Sequence, residues 1–462
     1  MILLKHNIFV LFLEIYTIAT LLFDFELPGT RFFNDNSSKR LLVSLLPLTF
    51  TFISKYTEGW TSITFPTLLC SLLIPFGSII EGLPKLGFAV IVTLLAISHA
   101  NAIRYFPIKP PLKPTGKFHV GYKSYKAKGD LKYSVFYPTL EQTFNHPKFI
   151  GDDHAWRKYL EIAQGMSKFP PKWLFEVATH MHTKLPLMAH VNAPIVSKEN
   201  FEQHEIRKFI PIIFSHGLGG NQHSYASLIC QLASQGFFVI SVDHQDEVKD
   251  ICTDIEKKPL VYLEMRVKEI RKLIDQLGNK SGSIQKLFGS DIEFDMSHLT
   301  VMGHSYGGAS AYKTASLDER VKHCILLDPW LASMSKDDLD TKLKCTFLLF
   351  ESGDWNERHP YFEVTERNLR AMEGQRNNDY GAIYCKIPKA QHNNFTDDVF
   401  YSGGILKFLK IINDIDASVE NYKENIQVLD NYLLTVVAKG QKSDEFIQMY
   451  KDSVDYPLKK FA

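Results

Sequence analysis

The first hundred or so residues differ from the rest of the chain in the spacing of their apolar positions. Four stretches there carry almost no charge: 8–23, 41–54, 60–80 and 86–103. A helix that spans a bilayer needs about 20 mostly apolar residues, and the third and fourth stretches have that length. The pattern therefore predicts a multi-pass membrane protein in contact with a lipid bilayer, with three to four transmembrane helices within residues 1–105.

Two of these stretches leave alternatives open. The first contains Glu14, and because Lys5 precedes its apolar run it also has the form of a secretory signal peptide. The second stretch is short for a spanning helix. Buried helices of a soluble protein are an alternative for all four stretches, although none of them has the one-sided pattern of an amphipathic helix. Basic residues follow both the first stretch and the last one, so the preference of basic loops for the cytoplasmic side does not decide how the region is oriented.

A different pattern begins after a proline-rich segment at residues 106–117, which predicts a stiff linker. Over residues 118–462 charges become frequent, and short apolar runs alternate with helical patterns such as those at 225–234 and 263–277. This alternation predicts an α/β domain whose mostly parallel sheet has helices on both faces. The strand-like runs are 131–137, 210–214, 237–242, 299–302, 324–327, 345–350 and 382–387.

Charge and cysteine content exclude some classes of function. Lys and Arg number 52 against 51 Asp and Glu, and this balance gives no electrostatic basis for a nucleic-acid partner. The six cysteines form no C-x-x-C pair, which argues against a zinc ribbon or a thioredoxin-like motif. No spacing of metal ligands is found either, and the sequence implies neither a metal nor a cofactor.

The segment Gly303-His304-Ser305-Tyr306-Gly307 is the first candidate for chemistry. It follows the strand-like run 299–302 and precedes a small-residue helix. A strand, a sharp glycine-flanked turn and a helix expose a serine hydroxyl at the carboxyl end of a sheet, as in the nucleophile elbow of α/β-hydrolases. The sequence therefore predicts an α/β-hydrolase fold with Ser305 as its nucleophile.

A serine nucleophile needs a histidine base, and that histidine needs a carboxylate to hold its tautomer. In α/β-hydrolases the acid follows the serine and the histidine comes last. His392, after the run 382–387, has that position. Asp328 and Asp354 both follow apolar runs at suitable positions, so the residues alone leave the acid undecided between them.

Acyl transfer also needs backbone N–H groups directed at the developing oxyanion. In this fold one donor is the residue after the nucleophile, here Tyr306. The other comes from a glycine-rich loop after an early strand. The loop at residues 215–220 follows such a strand, and it places the second donor near Leu218.

Several blocks in order resemble the platelet-activating factor acetylhydrolase family, of the plasma and intracellular type II kind. The resemblance covers residues 118 to beyond 430. The blocks are Ser-His-Gly-Leu-Gly at 215–219, Gly-His-Ser-Tyr-Gly-Gly at 303–308, Leu-Leu-Asp-Pro-Trp at 326–330 and Gln-His-Asn-Asn-Phe at 391–395.

The resemblance implies Asp328 as the acid, with Asp354 as runner-up, and Leu218 and Tyr306 as the oxyanion donors. It also implies a calcium-independent esterase that needs no cofactor and cleaves short or oxidised sn-2 acyl chains from a phospholipid substrate. The chain departs from the family pattern at Gln245, where an arginine is usual, and the following segment up to residue 263 is shortened. An esterase or lipase acting on another acyl ester therefore stays open, as does a non-catalytic membrane receptor or scaffold with a hydrolase fold.

Overall fold

One mixed β-sheet organises the part of the chain that the structure, a computed structural model, describes. Described are residues 112–460 except 127–130, 148–185, 203–207, 245–257, 290–291, 354–380, 388, 402–406, 408–411 and 451–457. The strands are β1 (His119–Lys126), β2 (Lys132–Thr139), β3 (His190–Val191), β4 (Pro211–Ser215), β5 (Phe238–Asp243), β6 (Thr300–His304), β7 (His323–Leu327), β8 (Thr346–Ser352), β9 (Ala382–Ile387) and β10 (Leu458–Lys460).

Across the sheet the strands lie in the order β10-β9-β8-β7-β6-β4-β5-β2-β1-β3. The six strands that lie between β9 and β5 in this order, both included and with β4 among them, run parallel to one another. Strand β2 is antiparallel to both β5 and β1, and β10 is antiparallel to β9. The predicted mostly parallel sheet is thus confirmed at the centre, and the antiparallel pairs lie towards its edges.

Helices cover both faces of this sheet. Those described are α1 (Lys198–Glu202), α2 (Ala226–Ser234), α3 (Lys258–Gly278), α4 (Ser283–Phe288), α5 (Tyr306–Leu317), α6 (Lys336–Asp340), α7 (Asp398–Tyr401), α8 (Ile415–Tyr432) and α9 (Ser443–Tyr450). Short 3-10 turns occur at Met296–His298, Leu331–Ser333 and His392–Phe395, and a π-helical turn at Leu433–Val437 follows α8.

Alternate residues of the central strands belong to two separate hydrophobic cores. Ile212, Phe214 and Met302 pack on the face covered by α2 and α8. Ile213 and Val301 pack on the face covered by α3 and α5. Both faces of each central strand are therefore buried, which explains why these strands read as continuous apolar runs. Each such side chain contributes about 1.5–3 kcal/mol by leaving water.

The prediction of a multi-pass membrane protein is corrected. Within the described residues, no helix is both long and apolar enough to cross a bilayer. The longest of them, α3, has 21 residues. Five of these are Lys or Arg and three are Asp or Glu, so eight are charged, which suits a helix that lies on a sheet with one face in water. The stretches on which the membrane prediction rested, and Glu14, lie outside the described residues.

The strand order decides which loops meet. Strands β4, β6, β7, β8 and β9 are neighbours or near neighbours, and they all run in the same direction. Their carboxyl ends therefore lie along one edge of the sheet, where ligands of open α/β sheets bind. The loops that carry Leu218, Ser305, Asp328 and His392 all begin at that edge.

Candidate active site

Ser305 lies in the sharp turn between β6 and α5. Its backbone has φ 56° and ψ −122°, a conformation that a residue with a side chain rarely adopts. Neighbouring glycines allow the turn to be this tight. A Cβ on Gly307 would collide with the carbonyl oxygens of Ser215 and His216, and one on Gly303 would collide with the Gly307 carbonyl. The strand, sharp turn and helix predicted around Ser305 are therefore present.

Backbone hydrogen bonds hold this turn against the end of β7. The Ser305 N–H donates to the Leu327 carbonyl at 3.0 Å, and the Trp330 N–H donates to the Ser305 carbonyl at 2.9 Å. Asp328 and Pro329 lie between these two partners along the chain. The backbone of the serine is thus tied on both sides of the aspartate, which couples the positions of the two residues.

Asp328 follows β7, and its carboxylate is buried, with the residue 1% exposed. Ser352, at the end of the neighbouring β8, donates its N–H to Oδ1 at 2.9 Å and its hydroxyl to Oδ2 at 2.6 Å. Burial raises the pKa of Asp328 to about 6, and the hydrogen bonds from Ser352 oppose that rise. The two donors therefore favour the ionised carboxylate in a place where burial alone would favour the neutral acid.

His392 begins the short turn after β9 and contacts this carboxylate. Its Nδ1 lies 2.6 Å from Asp328 Oδ2. Because an ionised carboxylate can only accept, Nδ1 carries the proton in that bond and Nε2 is left as the basic nitrogen. Asp354, the alternative acid, lies outside the described residues.

The turn that holds His392 is fixed from both ends. The Gln391 N–H donates to Asn394 Oδ1 at 2.9 Å, and the Asn413 N–H donates to Gln391 Oε1 at 2.7 Å. Asn421 on α8 donates its side-chain N–H to the Lys389 carbonyl at 3.1 Å. The histidine loop is thereby anchored on a helix of the core.

The glycine-rich loop after β4 packs directly on the elbow. A Cβ built on Gly217 would lie 3.3 Å from Ser305 Cβ, so this position leaves little room for a side chain. The Gly217 N–H donates to the Tyr225 hydroxyl at 3.0 Å, and the next residue is Leu218. The two predicted oxyanion donors, Leu218 and Tyr306, thus belong to the two segments that meet at Ser305.

Arg266 on α3, which the sequence patterns did not single out, lies beneath this junction. It is fully buried, and its Nη1 donates to the His216 carbonyl at 2.6 Å. Its guanidinium carbon lies 4.6 Å from the centre of the Tyr306 ring, within the range of a cation–π contact. One buried cation therefore supports both the glycine-rich loop and Tyr306, the residue after Ser305.

A buried serine–histidine–carboxylate chain supports the loop from the other side. The Ser215 hydroxyl lies 2.8 Å from His244 Nε2, and His244 Nδ1 lies 2.6 Å from Glu269 Oε2. Ser215 has no exposed surface, so this serine cannot reach an ester carbon. The arrangement stabilises the loop. The sequence around Ser215 gives no sign of this chain of hydrogen bonds, because Glu269 lies on the distant helix α3.

Metal ligation has no candidate in the described parts of the chain. Among those residues, no group of three or more His, Cys, Asp or Glu side chains could hold a metal ion. The described cysteines, Cys230, Cys324, Cys345 and Cys385, are buried, and burial raises the pKa of each thiol.

Comparison with known proteins places this geometry in a family. The family model for platelet-activating factor acetylhydrolase, isoform II, matches residues 111–286 and 264–449. A platelet-activating factor acetylhydrolase of Gallus gallus is 27% identical over 270 residues, 49% of this chain and 62% of that protein. The one of Cavia porcellus is 24% identical over 336 residues, 64% of this chain and 67% of that protein.

A solved structure supports the fold independently. The ferulic acid esterase of Streptomyces cinnamoneus superposes with a TM-score of 0.50 at 18% identity, over 73% of this chain and 95% of that one. At this identity the likeness concerns the fold, and it confirms the predicted α/β-hydrolase sheet. The resemblance inferred from the sequence blocks is confirmed by the family model, which covers well over half of the chain. The protein belongs to the platelet-activating factor acetylhydrolase family of the isoform II kind.

Proposed function

We propose that the protein is a serine hydrolase that cleaves the sn-2 acyl ester of glycerophospholipids, with preference for short or oxidised acyl chains. The observation that carries the proposal is the 2.6 Å contact between His392 Nδ1 and the buried Asp328 carboxylate, made beside the strained turn of Ser305. Family membership supports the choice of a lipid ester as substrate.

In the proposed reaction the Ser305 hydroxyl oxygen attacks the carbonyl carbon of the sn-2 ester, and its proton passes to Nε2 of His392. Asp328 holds the histidine in the tautomer that accepts this proton and stabilises the imidazolium that results. The carbonyl oxygen becomes an oxyanion, which accepts hydrogen bonds from the N–H groups of Leu218 and Tyr306.

The tetrahedral intermediate then collapses. The bond between the acyl carbon and the sn-2 oxygen breaks, and the lysophospholipid leaves with the proton from His392. An acyl group remains on Ser305. Water then gives a proton to Nε2 of His392 while its oxygen attacks the acyl carbon. The bond to the Ser305 oxygen breaks, His392 returns the proton to that oxygen, and the fatty acid leaves. No step requires a metal, which agrees with the calcium independence that the resemblance implies.

The test is hydrolysis of phosphatidylcholines that differ only in sn-2 chain length, in mixed micelles with a chelator present. Wild type is compared with Ser305→Ala. Ser316→Ala is the matched control, because it removes a serine hydroxyl from the far end of the same helix α5, where that hydroxyl donates to the Lys313 carbonyl. We expect cleavage that falls steeply from acetyl to long acyl chains, is lost in Ser305→Ala and is kept in Ser316→Ala.

Two other outcomes would redirect the assignment. Serine-dependent hydrolysis that is equal or greater on long chains would keep the mechanism and make the protein a general lipase or carboxylesterase. No hydrolysis of any ester, together with no labelling by a fluorophosphonate, would favour a non-catalytic protein that has retained a hydrolase fold.

A further inference from the structure

A continuous chain of buried hydrogen bonds joins the glycine-rich loop to the histidine loop. The Gly217 N–H donates to the Tyr225 hydroxyl at 3.0 Å. That hydroxyl lies 2.7 Å from His304 Nδ1, and His304 Nε2 lies 3.1 Å from the His392 carbonyl oxygen. Tyr225 and His304 are 2% exposed, so water does not substitute freely for these bonds.

Chemistry fixes the direction of every bond in this chain. A backbone N–H can only donate and a carbonyl oxygen can only accept. His304 Nε2 therefore carries a proton and gives it to the His392 carbonyl, while Nδ1 accepts from the Tyr225 hydroxyl. Burial holds the pKa of His304 well below its usual range, and the nearby His392 lowers it further, which agrees with a neutral ring in one tautomer.

The two ends of this chain of hydrogen bonds lie at groups that the proposed reaction needs in accurate positions. Gly217 precedes Leu218, the proposed oxyanion donor. The His392 carbonyl belongs to the proposed base, and the ring centres of His304 and His392 are 4.5 Å apart. His304 itself is bonded covalently to Ser305. The chain of hydrogen bonds therefore joins the residue before the proposed nucleophile, the carbonyl of the proposed base and the oxyanion loop.

We propose that Tyr225 and His304 are positioning residues that hold the oxyanion loop and the catalytic histidine in register with Ser305. The inference rests on the proposed serine mechanism. In that mechanism the oxyanion and the imidazolium form in the same step, so the donor and the base must be placed correctly at the same time. A misplacement of about 1 Å costs up to about 100-fold in rate.

The experiment measures kcat and KM for 4-nitrophenyl acetate, normalised to the fraction of sites that a fluorophosphonate titrates. Tyr225→Phe removes the hydroxyl and keeps the ring packed on Phe214 (centroids 4.7 Å apart). Tyr137→Phe is the matched control. It removes another buried hydroxyl, that of a tyrosine on strand β2, which donates to the Ala193 carbonyl oxygen at 2.6 Å. We expect kcat per titrated site to fall by about 10- to 100-fold in Tyr225→Phe, with little change in KM, and to stay unchanged in Tyr137→Phe.

Two variants of His304 test whether the bonds act as one chain. His304→Phe keeps a ring and loses both nitrogens, whereas His304→Gln retains an N–H donor and an oxygen acceptor. We expect kcat to be higher in His304→Gln than in His304→Phe. The double variant with Tyr225→Phe should lose little more than His304→Phe alone, because residues of one network are not additive.

The outcomes separate this inference from the proposed function. A wild-type protein without serine-dependent esterase activity overturns both. An active wild type overturns the positioning role alone if Tyr225→Phe keeps the wild-type kcat per titrated site. Losses that multiply in the double variant, or that Tyr137→Phe shares, overturn it as well.

Discussion

Asp328 follows strand β7, Ser352 ends the neighbouring parallel strand β8, and both hydrogen-bond donors of Ser352 point at the Asp328 carboxylate. Asp328 is thus held by β8, which lies beside β7 on the side away from β6, the strand that leads to Ser305. This relation makes the protonation state of Asp328 sensitive to Ser352, a residue that does not contact substrate in the proposed mechanism.

Replacement of the acid by its amide tests the orienting role of Asp328. In Asp328→Asn the side chain can donate to His392 Nδ1, so it favours the tautomer in which Nε2 is protonated and cannot act as base. We expect kcat to fall by roughly 10³- to 10⁴-fold with little change in KM. Steady-state kinetics on a short-chain ester measures this, and a loss below tenfold would exclude Asp328 as the acid.

The pH dependence of activity gives a second prediction. The mechanism needs the Asp328–His392 pair without its extra proton, and burial raises the pKa of Asp328 to about 6. As the pH falls through about 6 the pair gains a proton and activity is lost, whereas above that pH it is retained. We expect kcat/KM to fall on the acid side of about pH 6, and the coupled residues to titrate as a pair.

Ser352→Ala should move this acid limb to higher pH. The variant loses the hydroxyl that bonds Asp328 Oδ2 and keeps the backbone N–H. The ionised carboxylate is then less stabilised, so the pair holds its extra proton more strongly whichever member carries it. The pH profile of kcat/KM measures the shift; the exposed Ser297→Ala serves as control and should leave the profile in place. A limb that stays fixed or moves to lower pH in Ser352→Ala would contradict the prediction.

Gly307→Ala tests the packing of the elbow. The added Cβ would meet the Ser215 and His216 carbonyls, so either the sheet or the turn must shift. We expect a loss of about 1–3 kcal/mol in the free energy of unfolding, together with lower activity. Gly278→Ala, at the end of α3, has open space around the new methyl group and should not lower stability. Urea denaturation of both variants compares them directly.

Asp397 predicts a pH dependence of stability. Its carboxylate accepts from the Ser227 N–H at 2.7 Å and from the Tyr422 hydroxyl at 2.5 Å, and burial raises its pKa from 3.8 to about 7. Between these two values the folded chain holds a proton that the unfolded chain has lost. This contribution is therefore complete below about pH 4 and is lost as the pH rises through about 7.

The matching variant is Asp397→Asn, which cannot take up that proton. Asp328 and Asp430, each with a pKa raised to about 6 mainly by burial, act in the same direction in both proteins. We expect the urea midpoint of wild type to fall more steeply between about pH 4 and 7 than that of Asp397→Asn. Equal slopes would mean that Asp397 stays ionised in the folded protein.

Local pattern predicted the elbow around Ser305 because a strand, a glycine-flanked turn and a helix follow one another along the chain. It also ranked His392 by its position near the end of the domain. The choice between Asp328 and Asp354 was beyond the residue pattern, since it depends on which strand ends lie beside His392 in space. The blocks of family resemblance pointed to Asp328, which is the carboxylate that the histidine contacts.

Other features have no local signature at all. Strand β1 was not predicted, because it pairs near the edge of the sheet and half of its residues are polar. Arg266 and Glu269 looked like ordinary charges in a helical pattern. Arg266 nevertheless donates to the glycine-rich loop, and Glu269 contacts His244, which supports that loop. The helical pattern began at Tyr225, whereas α2 begins one residue later and Tyr225 precedes it. The tyrosine hydroxyl contacts Gly217 and His304, which no local pattern indicates.

The backbone conformation of Ser305 sets activity against stability at a single position. A non-glycine residue in so strained a conformation costs about 1–3 kcal/mol, and glycine would adopt it without strain, although it loses about 0.5–1 kcal/mol through its greater freedom when unfolded. Ser305→Gly should therefore resist urea better than Ser305→Ala, although neither has the hydroxyl that the proposed mechanism needs. Selection for a hydroxyl at the head of α5 would then have kept this fold less stable than its own scaffold allows.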